Sequence, residues 1–167
     1  WNGSPTKLFV FFQGQAVIVA LFSLPFIAAA NNRNVSLDFW FFAAVAVFVL
    51  SVVGESLADR QLAAFRNNPA NRGKTCRNGL WAWSRHPNYF FEWLHWFAYL
   101  FLAIGSPQFW LSLVGPVVML AFLYRVSGIP WTEAQALRSR GDDYRRYQSE
   151  VSAFFPLPPK PSKNGVL

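Results

Sequence analysis

Four long apolar stretches alternate with short polar ones along the chain. They run from Leu8 to Ala30, broken by Gln13, Gly14, Gln15 and Pro25; from Leu37 to Ala58; from Phe90 to Ile104; and from Phe109 to Ile129. The third is short but extends back through Ser84-Arg85-His86-Pro87-Asn88-Tyr89. A helix needs about 20 mainly apolar residues to cross a bilayer, so the pattern predicts about four membrane-spanning helices. The linkers Asn31 to Ser36 and Gly105 to Gln108 are short, which makes neighbouring helices antiparallel. Gly128 and Pro130 end the fourth stretch. Beyond them the sequence predicts a short helix from Glu133, a break at Gly141, and a second helix with Tyr144 and Tyr147 on one side. Val151, Phe154, Phe155 and Pro156 predict a return to the membrane surface, and the Pro-rich end reads as disordered. The expected fold is all-α: a multi-pass transmembrane helical bundle with a cytoplasmic, amphipathic helical C-terminal tail. One membrane-embedded domain is expected over residues 1–159, with a disordered tail over 160–167.

Composition agrees with the pattern. Hydrophobic residues make up 53% of the chain and charged residues only 14%, against about 25% charged in soluble domains. The excess apolar surface is expected to face lipid. The first residue is Trp1 and an apolar run follows almost at once, so the sequence reads as lacking an N-terminal part. The single cysteine, Cys76, excludes an internal disulfide. All of the 15 Lys and Arg residues except Arg33 fall before the first span, in the loop from Arg60 to Arg85, or from Arg125 onward. The positive-inside rule then predicts a cytoplasmic N-terminus, loop and tail. The net charge of +7 is accounted for by anionic headgroups or a phosphorylated cofactor, and no nucleic-acid motif is present. The 2 histidines, His86 and His95, are nine residues apart and match no metal-ligand spacing. The expected partner on these grounds is therefore the bilayer; a lipophilic small molecule is added only by the resemblance given below.

Polar residues interrupt these apolar helices at helical spacing. Glu55, Asp59, Leu62 and Arg66 follow i, i+4, i+7, i+11, placing them on one face of a helix that outlasts the second span. Acids inside a membrane helix are costly and point to function, though an interfacial helix end with local ion pairs would also account for Asp59. Asn88, Glu92, His95 and Tyr99 repeat the same spacing after the basic loop. Pro87 suits the first turn of that helix, whose free N–H groups, with Arg85 and His86 beside them, would attract an anion. The two stripes can face each other across a polar cavity; snorkelling and an aromatic belt would explain Arg85, Trp81 and Trp83, but not Asn88 and Glu92.

The segment Gly79-Leu-Trp-Ala-Trp-Ser-Arg-His-Pro-Asn-Tyr-Phe-Phe-Glu92-Trp, with Tyr144-x-x-Tyr147 and Phe155-Pro156, closely resembles the C-terminal domain of steroid 5-alpha-reductase-like membrane proteins, in particular their uncharacterised microbial and algal branch. The resemblance runs from about Phe9 to Pro159. The Arg-His-Pro-x-Tyr core also occurs in isoprenylcysteine carboxyl methyltransferases, where it helps bind S-adenosylmethionine. The resemblance implies an NADPH pocket opening to the cytoplasm, in the endoplasmic reticulum or a bacterial inner membrane. It implies cofactor-binding roles for Asp59, Arg66, Arg85, His86, Asn88, Tyr89, Glu92, Arg125, Glu133, Tyr144 and Tyr147. Phe91 departs from the family, which has Gly before the acid. The family's substrate acid and tyrosine lie in helices that precede this chain, so no proton donor is assigned; Glu55 is the one candidate for catalysis.

Three readings follow. The first is an NADPH-dependent reductase of a carbon–carbon double bond in a steroid- or enone-like lipid, with Arg66, Arg85 and Arg125 as phosphate ligands and Asn88 orienting the nicotinamide amide. The second is an S-adenosylmethionine-dependent methyltransferase using His86, Tyr89, Glu133 and Tyr147. The third is a membrane scaffold that kept the pocket's shape. The Asn88/Glu92 pair favours the first.

Overall fold

A computed structural model describes residues 4–33, 36–126 and 128–161. Helix α1 spans Pro5–Ala30 and α2 spans Phe39–Asn67. Two 3-10 turns, Pro69–Asn71 and Gly79–Ala82, lead to α3 at Pro87–Leu102. A 3-10 turn at Phe109–Leu113 runs into α4, Val114–Ala121, and then a π-turn at Phe122–Val126. Helices α5, Ile129–Arg140, and α6, Asp142–Glu150, follow. No strand occurs among the described residues; the nearest thing is an isolated bridge between Ser84 and Ser152.

Three segments are long and apolar enough to cross a membrane: Pro5–Ala30, Phe39–Asn67 and Phe109–Arg140. The expected third of four spans is not among them. At 16 residues, α3 reaches roughly 24 Å at 1.5 Å per residue, short of the bilayer's apolar core of about 30 Å. Only 6% of the apolar window of α1 and 22% of that of α2 is buried within the protein. Phe9, Phe12, Val19, Phe42 and Val53 stand exposed along them. Apolar surface on this scale is stable only against lipid, and helices satisfy every internal backbone group there. The chain is thus an all-α, multi-pass integral membrane protein.

The chain divides into two compact units. The first comprises residues 1–46 and 96–119. Its centre is aromatic: Phe22 stacks on Trp96 with centroids 4.7 Å apart, and Phe26 meets Tyr99 edge-on. Gly115 makes room for that cluster, since a Cβ there would lie 2.5 Å from the Trp96 ring. The loop ends are tied by polar side chains. Asn31 Nδ2 donates to Gln108 Oε1 at 2.7 Å, and Asn32 Nδ2 donates to the carbonyls of Leu102 and Ile104. Asp38 caps α2 by accepting from the N–H groups of Trp40 and Phe41.

The second unit comprises residues 47–95 and 120–167. Here α2 stays helical well past the apolar stretch, carrying its polar face to Asn67 as the spacing predicts. Gly141, at φ +52, makes the break between α5 and α6, a conformation that an L side chain resists. The last described stretch runs beside residues 83–85: Arg85 N–H donates to Ser152 O, Leu157 N–H to Trp83 O, and Ser84 Oγ to Phe154 O. Val151 and Phe154 are therefore buried in the protein rather than turned to lipid, and only Phe155 of that group is exposed. Phe154 packs edge-on against Phe90, Trp93 and Tyr124. Residues 162–167 of the expected tail lie outside the described residues.

Candidate functional site

The site lies wholly in the second unit and starts from the fit of one loop onto α2. Gly79, at φ +60, sits so close to Gln61 that a Cβ would lie 2.5 Å from its amide. That approach lets Gln61 Oε1 accept from Leu80 N–H and brings Trp81 down so that its Nε1 donates to Ala58 O. Ser84 Oγ then accepts from His86 N–H at 3.1 Å, capping the start of α3 where Pro87 occupies the first turn.

Arg85 fastens this corner to the tail helices. Its Nε donates to Glu133 Oε1 at 2.6 Å, and its Nη1 donates to the carbonyls of Gln148 and Val151. His86 Nε2 lies 3.3 Å from the same Glu133 oxygen, and Gln148 Nε2 donates to the other. The His86 ring stacks on Tyr89, with planes 5° apart. Tyr147, 1% exposed, donates its hydroxyl to Trp81 O and Ser84 O. Burial pushes its phenol far above the ordinary range, with the neighbouring Tyr144 adding to the effect. Burial and the Glu133 charge push Tyr144 up to about 12. Arg77 reinforces the same seam by pairing with Glu150 at 2.6 Å and with Asp143. Burial would raise the Asp143 carboxyl, but hydrogen bonds from Thr75 and the charges of Arg77 and Arg140 outweigh it and hold it below the usual range.

These contacts frame a cavity of about 350 Å³, within the size range of small-molecule sites. Asp59 and Arg66 line it from α2, and Arg85, His86, Asn88 and Tyr89 from the corner and α3. Arg140 and Tyr144 close it from the tail side. The two polar stripes do meet: Asn88 Nδ2 donates to Asp59 Oδ1 at 3.2 Å. A carboxylate only accepts, so the amide nitrogen must face it. The Asn88 carbonyl is left buried without a partner, a condition that burial penalises.

Not every candidate reaches the cavity. Arg85, Glu133 and Tyr147 are committed to one another's segments. Glu133 sits behind Arg85 and His86 rather than on the wall, while Tyr147 contributes part of the wall with its hydroxyl turned to backbone. Glu55, Glu92 and Arg125 are also off the wall, and Arg125 is exposed. Further along α3, His95 Nδ1 lies 3.3 Å from Ser51 Oγ and outside the cavity. Phe91 is buried against Gly54 of α2, where a Cβ would lie 2.4 Å from its ring. The glycine on α2 makes the room for this ring, and Phe91 stays out of the cavity. The pattern reading missed Thr75, Cys76, Gln135, Ser139 and Arg140, all on the wall. Of these only Arg140 had a legible signal, as a cation in the last turn of α5, four residues before Tyr144.

Fold and composition define a multi-pass helical membrane protein with a polar cavity built from three of its segments. Residues 1–151 match the family described as "Protein of unknown function (DUF1295)", and the chain belongs to that family. No match was found among curated proteins or among solved structures.

Proposed function

We propose that this cavity binds NADPH and that the chain carries the cofactor site of a membrane reductase acting on a carbon–carbon double bond of a lipophilic, enone- or steroid-like molecule. The observation that carries the reading is the cavity's polarity. At one end Asn88 offers a buried carbonyl without a donor, beside Asp59, the one carboxylate lining the cavity among the described residues. At the other end Arg66 and Arg140 make no ion pair among the described residues. Asp59 and Arg66 are seven positions apart on one helix, about 10 Å along its axis. A nicotinamide carboxamide can donate to the Asn88 carbonyl, and phosphates suit the arginines. When bound, NADPH supplies the hydride. The protein's own residues hold and orient it: Asn88 the amide, Asp59 the orientation of Asn88, and Arg66 and Arg140 the charged part. His86 and Tyr89, stacked on each other, line the same space.

S-adenosylmethionine fits this wall less well. It carries no phosphate and, beside its positive sulfonium, a single carboxylate, so it leaves the positive end of the cavity less neutralised than a phosphorylated dinucleotide does. Glu133 and Tyr147, which would contact it in that reading, are engaged within the protein.

The membrane arrangement is part of the proposal. The loop after α2 and helices α5 and α6 line one cavity, so they lie on one side of the bilayer. In the proposed path the chain between them leaves by α3, which is shorter than the apolar core by itself, and returns by the segment from Phe109, which counts α3 as a fourth crossing. The concentration of Lys and Arg puts the cavity side in the cytoplasm, in the endoplasmic reticulum or a bacterial inner membrane.

The test is equilibrium NADPH binding to purified protein in detergent. Saturable binding is expected, weakened about tenfold or more by Asn88→Ala through loss of one buried hydrogen bond. Binding unchanged by Asn88→Ala would overturn the assignment of the nicotinamide end. Stabilisation by S-adenosylmethionine and not by NADPH would replace the reading with a methyltransferase.

A further inference from the structure

A second recess opens off the cation end of the cavity. Its volume is about 260 Å³, and Leu62, Arg66, Cys76, Ser139 and Arg140 line both spaces. The recess adds Arg72 and Lys74 from the turn that follows α2. That turn is built by its own asparagines: Asn68 Oδ1 accepts from Ala70 N–H, and Asn71 Nδ2 donates to Phe65 O. Gly73, at φ +78, then reverses the chain so that Arg72 and Lys74 flank it. Among the described residues, four cations thus line one recess with no carboxylate on its wall. None of the four makes an ion pair among the described residues, whereas Arg77 and Arg85 of the same unit do; Arg60 and Arg138, outside both spaces, are likewise without one.

Such a cluster repels itself, and three of its members are arginines, whose forked donors match phosphate oxygens. Bilayer headgroups could neutralise a basic surface, but two of these cations also line the main cavity. An anion held here therefore belongs to the molecule that fills that cavity. We infer that Arg66, Arg72, Lys74 and Arg140 form a phosphate-monoester site at the far end of the cofactor cavity, which selects a ligand bearing a terminal phosphate over the same ligand without one. The inference rests on the dinucleotide reading only in naming NADPH over NADH as that pair.

The experiment uses the full chain in detergent and in nanodiscs. It compares binding of 2′-AMP with adenosine, and of NADPH with NADH, in the wild type, in Arg72→Ala/Lys74→Ala, and in Arg60→Ala/Arg138→Ala. The last pair removes equal charge from residues outside both spaces. The wild type is expected to prefer each 2′-phosphorylated ligand. Arg72→Ala/Lys74→Ala should weaken those ligands about 10- to 100-fold while leaving adenosine and NADH within about twofold, and Arg60→Ala/Arg138→Ala should do neither. Preference for 2′-AMP over adenosine without dinucleotide binding would leave the recess standing and sink the nicotinamide reading instead. Equal loss for all four ligands, no loss, or no preference in the wild type would overturn the recess. Loss of binding to vesicles containing phosphatidic acid, with nucleotide binding unaltered, would overturn it in favour of a headgroup contact.

Discussion

Arg85 shows how a residue's role depends on what its donors meet. Its sequence neighbourhood, before a helix-starting proline, suits an anion ligand. In the folded protein three of its N–H groups go to Glu133, Gln148 and Val151. It is a clamp first, and the cations of the cavity without an ion pair among the described residues are Arg66 and Arg140. Tyr144 and Tyr147 differ from it in that their side, though not their partners, could be read from spacing. Their ionisation gives a prediction. Both phenols are held above the ordinary value of 10.0, Tyr144 at about 12. The unfolded chain ionises first, so stability is whole below pH 10 and falls as pH rises toward 12 and beyond. Tyrosinate absorbance should lag that of the denatured protein over this range. Tyr144→Phe should flatten the loss of stability with pH; an unchanged slope would show that the group titrates freely.

Among the elements, α2 was the most legible. Its apolar run and the stripe from Glu55 to Arg66 predict one helix that outlasts the membrane, and one helix is found. The break at Gly141 was equally plain, since glycine there takes a positive φ. The pairing of α2 with α3 was only half legible. Asn88 and Asp59 follow from spacing, but the seating of Phe91 on Gly54 does not, because no local pattern links residues 37 positions apart. A Cβ at Gly54 would come within 2.4 Å of the Phe91 ring. Gly54→Ala should therefore destabilise the protein by about 1–3 kcal/mol through overpacking. Phe91→Ala should cost about 3–5 kcal/mol through the void it leaves. Denaturation in detergent should show the double variant less destabilised than the sum of the two. Strict additivity would mean that the two residues do not share that space. The segment from Phe109 was the least legible element. Its hydropathy suggests a plain span, yet it is divided into 3-10, α and π turns.

For the whole molecule, apolar content and charge asymmetry bear on where it sits. Lipid as surroundings follows from the exposed faces of α1 and α2. Sidedness is a prediction of the positive-inside rule, and it can be checked with the protein's own chemistry. Cys76 is buried with its thiol pushed up by burial, so it should label slowly. Arg33→Cys and Asn67→Cys flank α2 and should react with a membrane-impermeant maleimide from opposite sides, Asn67→Cys from the cytoplasm. Labelling of both from one side would sink the proposed path.

The sequence by itself determined the helical class, the membrane setting, the two polar stripes and the break before α6. Each of these depends on local periodicity or on bulk transfer of apolar groups out of water, which add along a chain. Only the tertiary structure decided that Glu133 holds Arg85 instead of lining the cavity. The same is true of Asn88, which keeps a carbonyl without a partner, and of Arg72 and Lys74, which join Arg66 and Arg140 around one recess. Those outcomes depend on which donor meets which acceptor across distant segments, and a hydrogen bond a few ångströms long carries no trace in the spacing of residues along the chain.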